Sequence, residues 1–339
     1  MRKLYVLLAV ALLCAGAPAN SAEPQLKTKL RPSRTVLLYP EGQKVDRGIV
    51  ENGVAVTLGP GESNGLSGSE TSDEWGGLGN VSDSARIDIY LPKKPNGQMI
   101  VACPGGGYEY LSTVNEGLYA ADHFVKRGIA VCVVKYRLPN GHWQVPLRDV
   151  QNAFRYCRAH ASEWGINQIG VIGFSAGGHL AASASTLFVD DVTRPDFSIL
   201  VYPVITMDLS LTHEGTHNSL IGREDHWLDE SLPYKQYQSN KAQYEALMEL
   251  YSLENQVSEN TPQTVLLLSS DDGLVVPENS IRYFRALLAK NVKSQMYVFP
   301  VGGHGWGFTT DELGHDGLGT YRKTFFTAVD TWLEDIKNK

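Results

Sequence analysis

The feature that most constrains this chain is a series of short apolar runs with helix-length segments between them. Residues 129–134 (IAVCVV) are apolar throughout and mostly β-branched, as suits a strand buried on both faces. Residues 87–91, 99–103, 169–172, 198–201, 265–268 and 296–299 read the same way, the first as an alternating strand. Residues 116–127 form a helix that Gly128 ends as a C-cap. Pro146 opens another, with Leu147, Val150, Phe154, Cys157 and Ala161 at three-to-four spacing. An Ala-rich helix starts at Ala176, and further helices occupy 278–290 and 320–336. Strands alternating with helices predict an α/β fold with a mostly parallel central sheet and helices on both faces. No repeat of roughly 20–50 residues occurs, which excludes propellers and solenoids.

Composition narrows the class. The chain has 339 residues, 42% of them hydrophobic, and a formal charge of −7. An acidic chain without a Lys/Arg cluster is a poor ligand for nucleic acid, whose affinity rests on neutralised phosphates. Arg2 and Lys3, the apolar stretch from Leu4 to Ala15 and the small residues Ala17 and Ala19 predict a signal peptide over 1–22. The stretch is too short for a stable membrane span. Leu13 precedes Cys14 where a lipoprotein site prefers a small residue. The expectation is a secreted or periplasmic protein without a lipid anchor. Residues 23–339 then form a single domain, with 23–85 an irregular N-terminal extension whose one β-like run is 36–39. Beyond Cys14, Cys103, Cys132 and Cys157 read as small buried hydrophobes; a Cys103–Cys132 bridge has no support in the pattern. The polar, Tyr-containing stretch 207–263, after the sixth strand, breaks the alternation and reads as an insertion over the active face or as a surface excursion.

The chemistry is carried by Gly173-Phe174-Ser175-Ala176-Gly177, a G-x-S-x-G motif between a buried strand and a helix. That context is a nucleophile elbow, a tight turn that leaves the serine hydroxyl exposed. Ala176 places its N–H at the helix N-terminus, where an anion is favoured. Pro104-Gly105-Gly106-Gly107-Tyr108 follows an earlier strand and supplies the other oxyanion donors. Gly106 and Gly107 are the candidates, in a register that can slip by one. Enzymes with such an elbow carry acid and base in the order Ser…Asp…His. The base is then His304, in the Gly-rich loop 302–307, and the acid Asp272 or its neighbour Asp271, with Asp272 favoured. His213-Glu214-Gly215-Thr216-His217 matches H-E-x-x-H. Zinc ligation needs both histidines on one face of a stable helix, and Gly215 interrupts this one. No metal and no cofactor are expected.

In combination these residues resemble the secreted α/β-hydrolase esterases of bacterial polysaccharide degradation, the acetylxylan and feruloyl esterase-like branch. The resemblance covers roughly residues 85–335. It is carried by residues 103–108, 135–139 (KYRLP), 146–149 (PLRD), 173–179 (GFSAGGH), 277–280 (PENS) and 302–307. It implies an α/β-hydrolase fold and a triad of Ser175, Asp272 and His304, the acid being the last of a short Asp run. The chain departs from the family pattern at Ser270 and in the polar insertion around 223–250. The resemblance implies removal of acetyl groups from acetylated xylan or its oligosaccharides. Feruloyl or general short-chain ester hydrolysis is the first alternative. A prolyl-peptidase-like enzyme would share the elbow, but 85 residues cannot supply its usual propeller. A catalytically silent carbohydrate-binding homologue would have lost triad residues that stand here. Aromatic rings near the site, Tyr108, Tyr110, Trp306 and Trp227, are candidates for stacking on sugar rings.

Overall fold

The computed structural model describes residues 28–39, 45–51, 54–58, 70–73, 76–81, 85–308 and 317–337. The segment expected to be a leader, with Cys14, and part of the N-terminal extension lie outside them. Its main sheet has eight strands: β1 (Arg34–Leu37), β2 (Arg86–Tyr90), β3 (Gln98–Cys103), β4 (Ala130–Lys135), β5 (Gln168–Phe174), β6 (Phe197–Val201), β7 (Gln263–Ser269) and β8 (Ser294–Phe299). They lie in the order β1-β2-β4-β3-β5-β6-β7-β8. β1 and β2 pair antiparallel with their neighbours, and every pair from β4 to β8 is parallel. This is the α/β-hydrolase fold.

Burial on both faces explains the unbroken apolar runs. Along β3, Met99, Val101 and Cys103 face one core and Ile100 and Ala102 the other. The first core is filled from α2 (Gln144–His160), α3 (Ser175–Thr186) and α7 (Glu278–Ala289), through residues such as Phe154, Leu180 and Tyr283. The second is covered by α1 (Tyr119–Val125) and α8 (Arg322–Lys337), through Phe124, Phe325 and Trp332. Each such large side chain is worth about 1.5–3 kcal/mol when fully buried. Cys103, Cys132 and Cys157 are buried and free.

Several boundaries differ from the pattern-based expectation. The helix expected over 116–127 begins as a π-helical turn, Val114–Leu118, and becomes α-helical only at Tyr119. The wide turn accommodates Asn115 and Glu116, whose side chains are engaged by distant loops, and hydrophobic periodicity cannot register that demand. The N-terminal extension is less irregular than expected. β1 closes one edge of the sheet, Val45–Glu51 pairs with Val54–Leu58, and Leu78–Gly79 pairs with Tyr110–Leu111 beside the site. The insertion carries α4 (Glu214–Ile221), α5 (Glu224–Trp227) and α6 (Tyr234–Tyr251). No helix among the described residues is long and apolar enough to cross a membrane.

Candidate active site

β5 delivers Ser175 at its C-terminal end, and the turn into α3 is as tight as the motif implies. Phe174 is extended, whereas Ser175 has a φ of 52°, a left-handed conformation costing of order 1–3 kcal/mol for a residue with a Cβ. A Cβ on Gly173 would stand 2.1 Å from the Gly177 carbonyl oxygen, and one on Gly177 would stand 2.2 Å from that of Cys103. The flanking glycines are therefore required by backbone meeting backbone.

His304 reaches the serine from the loop after β8. Its Nε2 lies 2.8 Å from Ser175 Oγ and its Nδ1 2.7 Å from Asp272 Oδ2. A carboxylate facing Nδ1 fixes the proton there, so Nε2 is free to accept from the serine hydroxyl. Asp272 is buried, and its other oxygen accepts from the Leu274 and Val275 N–H groups at 3.0 and 2.9 Å. Asp271 points elsewhere and accepts from the Gly302 and Gly303 N–H groups at 3.3 and 2.8 Å. One aspartate meets the imidazole, and the other holds the loop that carries it.

The glycine loop after β3 curls back on itself, with φ of 125° at Gly106, 65° at Gly107 and 61° at Tyr108. The Gly105 N–H is taken by the Glu116 carboxylate at 2.6 Å. Gly106 and Gly107 line the same cavity as Ser175 and His304, and among the described residues their N–H groups meet no acceptor. Ala176 is buried at the start of α3. The cavity measures about 330 Å³. A second hollow of about 510 Å³, between the insertion and α7, is lined by Asp208, Tyr244 and Arg282 and lies away from the serine.

Pattern reading missed several residues of this site. Glu116, 4% exposed, accepts from the Tyr202 hydroxyl at 2.8 Å as well as from Gly105. Burial pushes its carboxyl pKa up, opposed by these two hydrogen bonds and by nearby His304. The Tyr202 oxygen in turn accepts from the Gly307 N–H at 2.8 Å, and its ring lies 4.8 Å from that of His304. Asn115 donates to the Gly305 carbonyl at 2.9 Å. One π-helical turn thus ties the glycine loop to the histidine loop. No local signal marks Glu116, since the same segment also carries Asp122, His123, Lys126 and Arg127.

The H-E-x-x-H segment divides. His213 caps α4, its Nδ1 accepting the Thr216 N–H at 3.2 Å, and its ring lines the cavity. His217 is buried beside Tyr244 Oη at 3.0 Å and Met248 Sδ at 3.2 Å. The two imidazoles have different neighbours. Burial lowers both pKa values, and at His213 the nearby His304 lowers it further.

Two stacking candidates are corrected. Tyr108 is 2% exposed, with its hydroxyl 3.1 Å from His179 Nδ1 and its ring edge-on to Tyr136. Trp306 is fully buried, donates to Ser269 Oγ at 2.9 Å and packs on Tyr202 and Phe325. Neither has a face to offer a sugar ring. Both are neighbours in sequence of site residues, but a left-handed backbone at Tyr108 and packing on Phe325 of α8 at Trp306 turn the side chains inward. Tyr110 is 48% exposed and lines the cavity, whereas half-buried Trp227 stacks on Tyr244.

The BD-FAE family model matches residues 87–287. The chain is 40% identical over 263 residues to an acetylxylan esterase of Xylanibacter ruminicola, covering 76% of this chain and 50% of that protein. It is 34% identical over 231 residues to endo-1,4-beta-xylanase B of Butyrivibrio fibrisolvens, covering 63% of this chain and 33% of that one. The chain thus spans half the length of the first relative and a third of the second. The crystal structure of an acetyl ester-xyloside bifunctional hydrolase from Caldicellulosiruptor lactoaceticus superposes with a TM-score of 0.60 at 31% identity. That alignment covers 75% of this chain and 88% of the other.

Proposed function

The chain belongs to the BD-FAE family, and from that premise we propose that it is a serine esterase removing acetyl groups from acetylated xylan or its oligosaccharides. The reading is carried by the continuous hydrogen-bonded path from Asp272 through His304 to Ser175, opening into a cavity shared with Gly106 and Gly107.

In this mechanism Ser175 Oγ attacks the acetyl carbonyl carbon as His304 Nε2 takes the hydroxyl proton. The carbonyl oxygen becomes an oxyanion, stabilised by the N–H groups of Gly106, Gly107 and Ala176. Asp272 holds the imidazolium in register and balances its charge. His304 then returns the proton to the departing sugar oxygen, and the C–O bond to the sugar breaks. Water, deprotonated by the same imidazole, attacks the acetyl-enzyme; the bond to Ser175 Oγ breaks, the imidazolium returns the proton to that oxygen, and acetate leaves. Each step uses only protein groups and water. The cavity of about 330 Å³ has room for a small acyl group, and the exposed ring of Tyr110 is an aromatic surface available to the sugar. Relatives whose names refer to xylan or to acetyl esters of xylosides support this substrate class. The reading also includes an exported protein, with residues 23–339 as one catalytic domain.

Acetate release from acetylated xylan by the wild-type protein and by Ser175→Ala tests the proposal. The variant loses one hydroxyl, so turnover falls at least about a thousandfold while the fold is kept. Near-normal turnover in a folded variant would sink it. Faster cleavage of octanoate or feruloyl esters than of acetate esters would replace the substrate class.

A further inference from the structure

At the mouth of the cavity, two side chains from separate parts of the chain converge. Glu109 belongs to the turn after the glycine loop and His213 to the insertion, and both line the cavity that holds Ser175 and His304. A Cβ on Gly215 would lie 3.0 Å from His213 Cε1 and 3.2 Å from Glu109 Oε1. A Cβ on Gly107 would lie 3.6 Å from the same His213 atom. The imidazole therefore sits over the glycine loop with the carboxylate at its side.

The helix cap decides what His213 can do. With Nδ1 accepting the Thr216 N–H, the neutral ring carries its proton on Nε2 and presents a donor. Neutrality is favoured because burial, the neighbouring His304 and the positive end of α4 oppose a charge on the ring and outweigh the opposite pull of Glu109, Glu214 and Asp272. Among the described residues Nε2 has no hydrogen-bond partner. A carboxylate such as that of Glu109 can only accept. The mouth thus offers one fixed donor beside one acceptor. A hydroxyl both donates and accepts, so two hydroxyls on adjacent carbons can satisfy the pair together.

We propose that His213 and Glu109 form the specificity-determining subsite for the alcohol half of the ester, recognising a neutral sugar through hydroxyls neighbouring the acetylated carbon. This inference rests on the carbohydrate-deacetylase reading above and assigns part of its selectivity to the insertion. An ester whose leaving group lacks hydroxyls uses the triad and the glycine loop but gains nothing from the pair.

The test is the ratio of kcat/KM for monoacetylated methyl xyloside to that for p-nitrophenyl acetate, measured on the full chain. Three variants address the pair: His213→Ala, Glu109→Gln and Gly215→Ala. The last keeps both side chains and the cap and adds one methyl group where they meet. It is also the safeguard should loss of the His213 cap unfold α4. The expected result is a fall in the ratio of tenfold or more for His213→Ala and Gly215→Ala, carried mainly by KM for the sugar ester. Glu109→Gln, which keeps an acceptor oxygen, lowers it about threefold. Ratios within twofold of wild type in all folded variants, with wild type still cleaving the sugar ester, would overturn the subsite alone. A wild-type protein that cleaves p-nitrophenyl acetate but no acetylated sugar would overturn the subsite together with the substrate reading.

Discussion

Two carboxylates in this molecule have nearly the same surroundings and different consequences. Asp149, at the start of α2, meets Arg137 at 2.6 Å, and both side chains are fully buried. Tyr39 donates to the same carboxylate at 2.7 Å, the Arg137 backbone N–H at 2.9 Å, and the guanidinium lies over the Tyr39 ring. Asp272 meets His304 at 2.7 Å, also buried and also accepting backbone N–H groups. The difference is the partner. Arg137 keeps its charge and is sealed on every side, so the pair ties the end of β4 to α2 and does no chemistry. An imidazole can take up and hand on a proton where a guanidinium cannot, and that of His304 keeps 14% of its side chain open to the cavity. A buried carboxylate acts as structure or as mechanism according to whether its partner can titrate and can be reached.

Substitutions should separate the two pairs. The largest effect is expected from Asp272→Asn, which removes the charge opposite the imidazolium and permits the wrong tautomer. Turnover should fall by about 10³–10⁴ with the urea midpoint little changed. A fall below tenfold would remove Asp272 from the mechanism.

Asp149→Ala should do the reverse. It leaves the Arg137 guanidinium buried without its carboxylate, so stability falls by about 3–5 kcal/mol. Activity per folded molecule at low temperature should stay near wild type. Equal stability of variant and parent in urea titration would mean that the sealed pair contributes nothing.

A third contrast concerns a histidine that is sealed rather than open. His179 is fully buried between Tyr108 and Tyr251, and burial pulls its pKa down from 6.5 to about 4. The unfolded chain therefore binds a proton that the folded chain refuses between those values. Stability is fully present above about pH 6.5 and is lost as pH falls toward 4, by about 3 kcal/mol from this group. His179→Gln should flatten that limb of the stability–pH curve; an unchanged slope would assign the loss elsewhere.

The smallest effect is expected at Asp271. Asp271→Asn retains an acceptor for the Gly302 and Gly303 N–H groups, so kcat/KM should fall by less than about tenfold. A loss matching that of Asp272→Asn would exchange the roles of the two aspartates.

Much of this site was legible in the chain because its signals are local. The elbow is written in consecutive residues, Gly173 to Gly177, by a turn that tolerates no Cβ on its flanks. His304 stands among glycines that free its loop to cross to the serine. The residues that Asp271 and Asp272 engage could not be told apart, because their side chains diverge only when the chain after β7 meets the loop after β8. The same limit explains Tyr108 and Trp306. Sequence proximity to the site was plain, but a left-handed φ at one and the α8 aromatic cluster at the other direct both rings into the core.

By itself the sequence determined the alternation of strands and helices, the tight turn at Ser175, the glycine loop and the Gly-rich loop of His304, since each depends on periodicity or turn chemistry within a few residues. Tertiary structure alone decided which groups complete them. Glu116 meets Tyr202 86 positions away, Asn115 meets Gly305 190 positions away, and His304 reaches Ser175 across 129. His213 enters the cavity because α4 folds back over the loop after β3. Contacts at such separations follow from the order in which strands enter the sheet and from which loops then share its C-terminal edge, and no local pattern encodes that order.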